Sequence, residues 1–300
     1  MNAAIRRPAL AALALGLLLP ALPPQALALL PLLKDPNWLE YHAVYDDKHF
    51  RFDINAKGEL HITPKRGSTG KPVSWKLAFK LDYGIEETRA DGSKLLRRIE
   101  RDSISAAARP NNAFTSTTLR GTTQGGAQLE LDIAQERGVI SLGGRIADHG
   151  NLDPAKTRLV IRVRVPDVHS NPASGGGSKP DDEEERDKRD ERDERRKQRE
   201  REERFEKKID DDRLDLVRPD GTKLKLEFGD PIEAASPDLN AGGFQSAEFR
   251  IATYTERRFR VSAPTGSVLT LWNSRSAPLH EGFTIEWSSH GPAPLQLEVR

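Results

Sequence analysis

The sequence has no cysteine. That excludes disulfides, thiol nucleophiles, thiolate-bound zinc, iron–sulfur clusters and a lipidated cysteine anchor together. Met1 is its single methionine. Neither sign of charge is in excess, with 47 Lys and Arg against 46 Asp and Glu, so no bulk charge points to nucleic acid. The chain also lacks an Asn-x-Ser/Thr acceptor, a Gly-x-Ser-x-Gly elbow, a glycine-rich phosphate loop and the ligand spacings of zinc or calcium sites. Hydrophobic residues are 36%. They crowd near the N-terminus and then recur in short alternating runs.

The first residues have the form of an export signal. Arg6 and Arg7 precede an unbroken apolar run from Ala9 to Leu19, and Ala26-Leu27-Ala28 offers a small-x-small cleavage site. The competing reading is an uncleaved anchor, since ~20 apolar residues span a bilayer. Pro20, Pro23 and Pro24 argue against a continuous helix there. Residues 1–28 are therefore read as a signal peptide. The remainder is expected to be periplasmic or extracellular, with no stable membrane span after cleavage.

From Tyr41 to Val165 the dominant period is two. Phe50, Phe52 and Ile54 alternate with polar residues, Asn55-Ala56-Lys57-Gly58 supplies a turn, and Leu60 and Ile62 return. Val73, Trp75, Leu77, Phe79, Leu81 and Tyr83 predict one long strand face. Further strands are expected at Leu129–Ile133, Ile140–Leu142 and Leu159–Val165. A second block starts with Leu214 and Leu216, turns at Arg218-Pro219-Asp220-Gly221, and continues through Phe249, Phe259, Val261, Phe283, Ile285, Trp287, Leu295, Leu297 and Val299. There the apolar face of one strand is assigned to Val268, Thr270 and Trp272. The fold class is all-β: two antiparallel sandwich-like blocks, residues 36–168 and 214–300.

Residues 169–180 are a Gly/Ser/Pro linker. In 181–213 only Gln198, Phe205 and Ile209 are uncharged, so the segment has almost nothing to bury. Opposite-charge pairs at i,i+4, such as Glu184–Lys188, are offset by like-charge pairs such as Lys188–Arg192. Helix propensity still favours a marginal helix over Glu191–Lys208. The alternative organisation makes 181–213 an insertion in one larger sandwich, with strand 158–165 pairing with strand 214–218.

The candidate binding residues are arginines. Arg158, Arg162 and Arg164 lie opposite the apolar face of strand 158–165, and Arg250, Arg258 and Arg260 hold outward positions in the second block. Guanidinium groups suit carboxylate and phosphate, so an anionic polysaccharide, a lipid headgroup or an envelope protein is the expected partner. Two bland readings compete: ordinary solvated arginines, and docking of the acidic start Asp181–Glu185 on the first row. Catalysis has weaker support. Glu281 and Glu286, with His280 beside them, are the best pair for a glycosidase. His42, His49, His61, His149, His169 and His290 form no metal spacing. No cofactor, metal or nucleic acid is expected. Trp75, Trp272 and Trp287 are assigned to the core and Trp38 to the surface. The functional reading is an exported binding or structural protein. A secreted carbohydrate-active enzyme and a purely structural subunit are the alternatives.

Overall fold

The computed structural model describes residues 29–67, 69–74, 77–167, 212–229, 231–232, 237–250, 257–273, 277–289 and 291–300, with positions 196, 199, 200, 203, 207 and 209. The predicted export signal, the linker 169–180, most of 181–211 and Trp75 lie outside the described residues. The described positions from Arg196 to Ile209 are helical.

The chain is almost entirely antiparallel β. Tyr41–Asp46 (β1), Phe50–Asn55 (β2), Leu60–Pro64 (β3), Phe79–Thr88 (β4) and Lys94–Arg97 (β5) come first. Ser105–Ala106 (β6), Ser116–Thr122 (β7), Gln128–Glu136 (β8), Val139–Asp148 (β9) and Thr157–Val165 (β10) follow. After the charged segment come Arg213–Val217 (β11), Lys223–Glu227 (β12), Pro231–Ile232 (β13), Ser246–Arg250 (β14) and Arg258–Ser262 (β15). Leu269–Trp272 (β16), Ala277–Pro278 (β17), Phe283–Ser288 (β18) and Leu295–Val299 (β19) complete the set.

The predicted hairpins form where their turn chemistry demands. In β2–β3 the Asn55 side chain accepts from the amides of Lys57 and Glu59 at 2.9 and 3.0 Å. Gly58 there has φ +71, and an added Cβ would lie 2.0 Å from Ile104 Cδ1, so only glycine fits. In β11–β12 Gly221 N–H bonds to Arg218 C=O at 2.9 Å. Between β8 and β9 the two turn residues, Arg137 and Gly138, both take positive φ, as a tight hairpin requires.

Among the described residues the strands build two large sheets. The first is ordered β1-β2-β3-β4-β10-β18-β16, with β5 beside β4. The second is ordered β12-β11-β14-β15-β19-β9-β8-β7-β6. Each sheet therefore takes strands from both blocks. β10 pairs with β18 through Ile161↔Trp287 and Val163↔Ile285, and β9 pairs with β19 through Leu142↔Leu295 and Ile140↔Leu297. One apolar cluster runs through both blocks. Phe79 from the first sheet meets Phe249 and Phe259 from the second, at ring-centroid distances of 5.8 and 4.6 Å.

The expected division into β domains at 36–168 and 214–300 is corrected accordingly. The two blocks share both sheets and one core, as in the insertion alternative. The pairing that alternative proposed does not occur, because β10 lies in the first sheet and β11 in the second. The reason is burial. With β4 on one edge, β10 leaves its other edge open, and β18 closes it while adding Phe283, Ile285 and Trp287 to the core, the Phe and Ile side chains each worth about 1.5–3 kcal/mol when buried.

Two strand details also differ from expectation. The long strand begins at Phe79, and Val73 and Leu77 lie before it. In β16, Leu269 and Leu271 are buried while Thr270 and Trp272 turn outward. Both alternations in that strand contain apolar residues, so period two alone does not choose the face.

Candidate functional site

The outer face of the first sheet holds one predicted arginine row. On β10, Leu159, Ile161, Val163 and Val165 are buried, while Arg158, Arg162 and Arg164 occupy the opposite face. Register sets Arg158 against Glu86, and Arg162 between Asp82 and Glu286. Glu86 is only 1% exposed. It accepts from Arg158 Nε and Nη2 at 2.9 and 2.6 Å and lies 3.5 Å from Arg162 Nη2. Lys94 Nζ adds a contact at 3.4 Å. Arg162 Nε donates to Glu286 Oε2 at 2.7 Å, and its guanidinium lies 5.3 Å from the Trp272 ring centroid. Arg164 Nε is 2.5 Å from Asp82 Oδ2, which Arg98 also approaches at 3.4 Å.

This row is thus neutralised from within. Such buried pairs cost desolvation that their attraction only roughly repays, and they tie β4, β10 and β18 together. The arrangement also accounts for Glu286, which shares Arg162 and Arg158 with Glu86 at 2.7 and 3.9 Å, so both carboxylates are held in ion pairs. Glu281 sits exposed in the 3-10 turn Leu279–Glu281. Trp272, assigned to the core from sequence, is on this outer face, whereas Trp287 is buried as expected.

The outer face of the second sheet is different. Register places Arg213 opposite Arg250 and Arg250 opposite Arg258. Arg258 and Arg300 exchange backbone hydrogen bonds at 3.0 and 2.9 Å. Four arginines therefore stand side by side across β11, β14, β15 and the end of β19. The side chains of Arg213, Arg258 and Arg300 are 60–63% exposed. One row further in, Asp215, Glu248 and Glu298 supply partial compensation: Asp215 to Arg213 at 3.6 Å, Glu248 to Arg258 at 3.7 Å and Glu298 to Arg300 at 2.7 Å. Arg260 lies in that second row between Glu248 and Glu298. Arg250 is exposed and has no ion pair among the described residues.

A groove lies beside the first sheet's arginine row, over β2, β3 and β4. One lobe of about 620 Å3 is lined by residues including Tyr41, Arg51, Asp53, His61 and Lys80. A second lobe of about 350 Å3 shares Lys57, Glu59, His61 and Lys80 with it and reaches Asp82, Arg98 and Arg164. Asp53 is buried and meets His61 Nδ1 at 3.1 Å and Arg51 Nε at 3.3 Å. Arg51 lies over Trp38 and Tyr41, 5.7 and 5.4 Å from their ring centroids. The Tyr41 phenol is pushed above its ordinary value by burial first and by Asp53 second.

Sequence reasoning missed Arg213, Arg300 and the Asp53–His61 pair. A usable signal existed for the pair, because the Asn55–Gly58 turn fixes the hairpin register that sets Asp53 opposite His61. Arg213 was hidden at the end of the charged segment. Among the described residues no group of three His, Asp or Glu side chains is placed to hold a metal, and no helix is long and apolar enough to cross a membrane.

No protein-family model matches the sequence, and no curated protein sequence matches it. Among solved structures, the chain is similar to a galactose mutarotase related enzyme from Lactobacillus acidophilus, with 8% identity and a TM-score of 0.39 over 86% of this chain and 96% of that one. A likeness of that size carries no inference about activity.

Proposed function

We propose that the chain is exported and binds an anionic polysaccharide through the outer face of its second sheet. The observation that carries this reading is the row Arg213, Arg250, Arg258 and Arg300 on neighbouring strands. Like charges directly opposite one another destabilise a sheet; Asp215, Glu248 and Glu298 offset this in part at Arg213, Arg258 and Arg300, and an anion at Arg250 would offset the rest. Neighbouring strands are about 4.7–4.9 Å apart. The row therefore offers closely repeated guanidinium donors to regularly spaced carboxylate or phosphate groups. Arg158 and Arg162 are left out of the proposal because carboxylates already hold them. Export is supported by the signal-like start, and Leu30 is buried in the core two residues beyond the expected cut.

The test is binding of the chain to immobilised carboxylated and phosphorylated polysaccharides at low and high salt. Arg250→Ala/Arg258→Ala is run in parallel. Retention that weakens with salt and falls at least about tenfold in the variant supports the reading. Retention unchanged in the variant, or binding only to anionic lipid vesicles, overturns it.

A further inference from the structure

The groove lies on the same face of the first sheet as Arg164, which lines its smaller lobe, and its contents are those of a proton-transfer site. Asp53 is 2% exposed and lies beside His61 Nδ1. A buried carboxylate in that position favours the Nδ1–H tautomer and leaves Nε2 as the bare acceptor. The His61 side chain is 22% exposed and lines both lobes of the groove. Lys80 is its direct cross-strand neighbour. Lys80 is exposed and has no ion pair among the described residues; Lys57, on the turn beside it, is in the same condition. Tyr41 lines the larger lobe with His61 and Lys80, and burial, followed by Asp53, pushes its phenol above the ordinary value. A bare imidazole nitrogen, an uncompensated ammonium beside it and a phenol in one cleft are the three groups that β-elimination from a uronate sugar requires.

We infer that the groove cleaves uronate-containing polysaccharides by β-elimination, with His61 as base, Lys80 as the carboxylate's counter-charge and Tyr41 as acid. His61 Nε2 takes the proton from the carbon that bears the carboxylate. Lys80 stabilises the negative charge that develops on that carboxylate. The released electron pair forms a carbon–carbon double bond to the neighbouring ring carbon, whose bond to the glycosidic oxygen breaks. Tyr41 gives its proton to that leaving oxygen. The proton on His61 passes to solvent, and Tyr41 recovers one from solvent. No water is added across the bond and nothing is oxidised or reduced overall.

The inference does not depend on the arginine row, and the two fail separately. The full chain is incubated with polygalacturonate, alginate and hyaluronan, and the ultraviolet absorbance of the unsaturated uronate end is followed. Expected is a rise with at least one of these. The rate should fall about 10²–10⁴-fold in His61→Gln, while that variant keeps the wild-type melting profile and still binds an oligouronate. Lys80→Ala, on an exposed side chain, should lower the rate with intact folding. No unsaturated product from any of the three polymers, or an undiminished rate in folded His61→Gln, overturns the inference. Failure of the arginine-row reading would instead appear as polymer retention unchanged in Arg250→Ala/Arg258→Ala.

Discussion

The two sheets carry the same residue type in the same kind of position and use it in opposite ways. On the first sheet Arg158 and Arg162 face outward and meet Glu86 and Glu286 on the strands beside them. On the second sheet Arg250 faces outward and meets Arg213 on one side and Arg258 on the other. Strand alternation produces both rows. What differs is the neighbour that register supplies. An arginine with a carboxylate opposite is spent on holding strands together, while Arg250, with arginines opposite, has no ion pair among the described residues. The far end of the second sheet repeats the first pattern, with Glu130 between Arg120 and Arg145 at 2.9 and 2.8 Å. The contrast therefore belongs to local register rather than to one sheet.

Breaking the paired side should have the largest effect. Glu86→Ala removes the carboxylate that Arg158 holds at 2.6 Å and leaves Glu286 to both arginines; a loss of about 1.5–3 kcal/mol is expected, read from chemical denaturation. A loss below about 1 kcal/mol would mean that the pairs do not hold the strands.

Removing charge from the unpaired side should act in the other direction. Arg250→Ala is expected to stabilise the fold by about 0.2–1 kcal/mol at low salt, with the gain shrinking at high salt. Destabilisation at low salt would show that Arg250 is held by the protein itself.

Two pH effects sharpen the comparison further. Hydrogen bonds from Arg145 and then Arg120 hold the Glu130 carboxyl below its ordinary value. Its contribution is present above the usual carboxylate range and is lost as the pH falls through the lowered value. Glu130→Gln should flatten the acid side of the stability profile slightly, since exposed pairs contribute little. At the alkaline end, burial pushes the Tyr83 phenol upward, with Glu59 adding to the effect. Its hydroxyl donates to Gly58 C=O at 2.9 Å. That contribution is complete below the ordinary phenol value of 10.0 and declines as the pH rises beyond it. Tyr83→Phe should be less stable at neutral pH and should lose less on alkalinisation, as followed by thermal melts.

The sequence carried the local half of this structure. The hairpins β2–β3 and β11–β12 were legible because Asn55, Gly58, Asp220 and Gly221 have strong turn preferences. The outward placement of Arg158, Arg162, Arg250, Arg258 and Arg260 was legible because strands alternate. The partners were not. Nothing near Arg162 announces Glu286, which is 124 residues away, and nothing near Ile140 announces Leu297. Those pairings are chosen by burial of whole strands, not by local spacing. The face of β16 was ambiguous because Val268, Leu269, Thr270, Leu271 and Trp272 offer apolar residues in both phases. The Asp53–His61 pair could have been found from the hairpin alone, but only by asking which side chain each outward residue faces.

The central claim is that register separates structural arginines from ligand-binding ones. The most direct test measures melting temperature and retention on an anionic polysaccharide for two variants, Arg158→Ala/Arg162→Ala and Arg250→Ala/Arg258→Ala. The first should melt lower and, at a temperature where it is folded, keep wild-type retention. The second should melt at or above the wild-type temperature and lose retention. If the first pair loses retention while folded and the second keeps it, the assignment is contradicted.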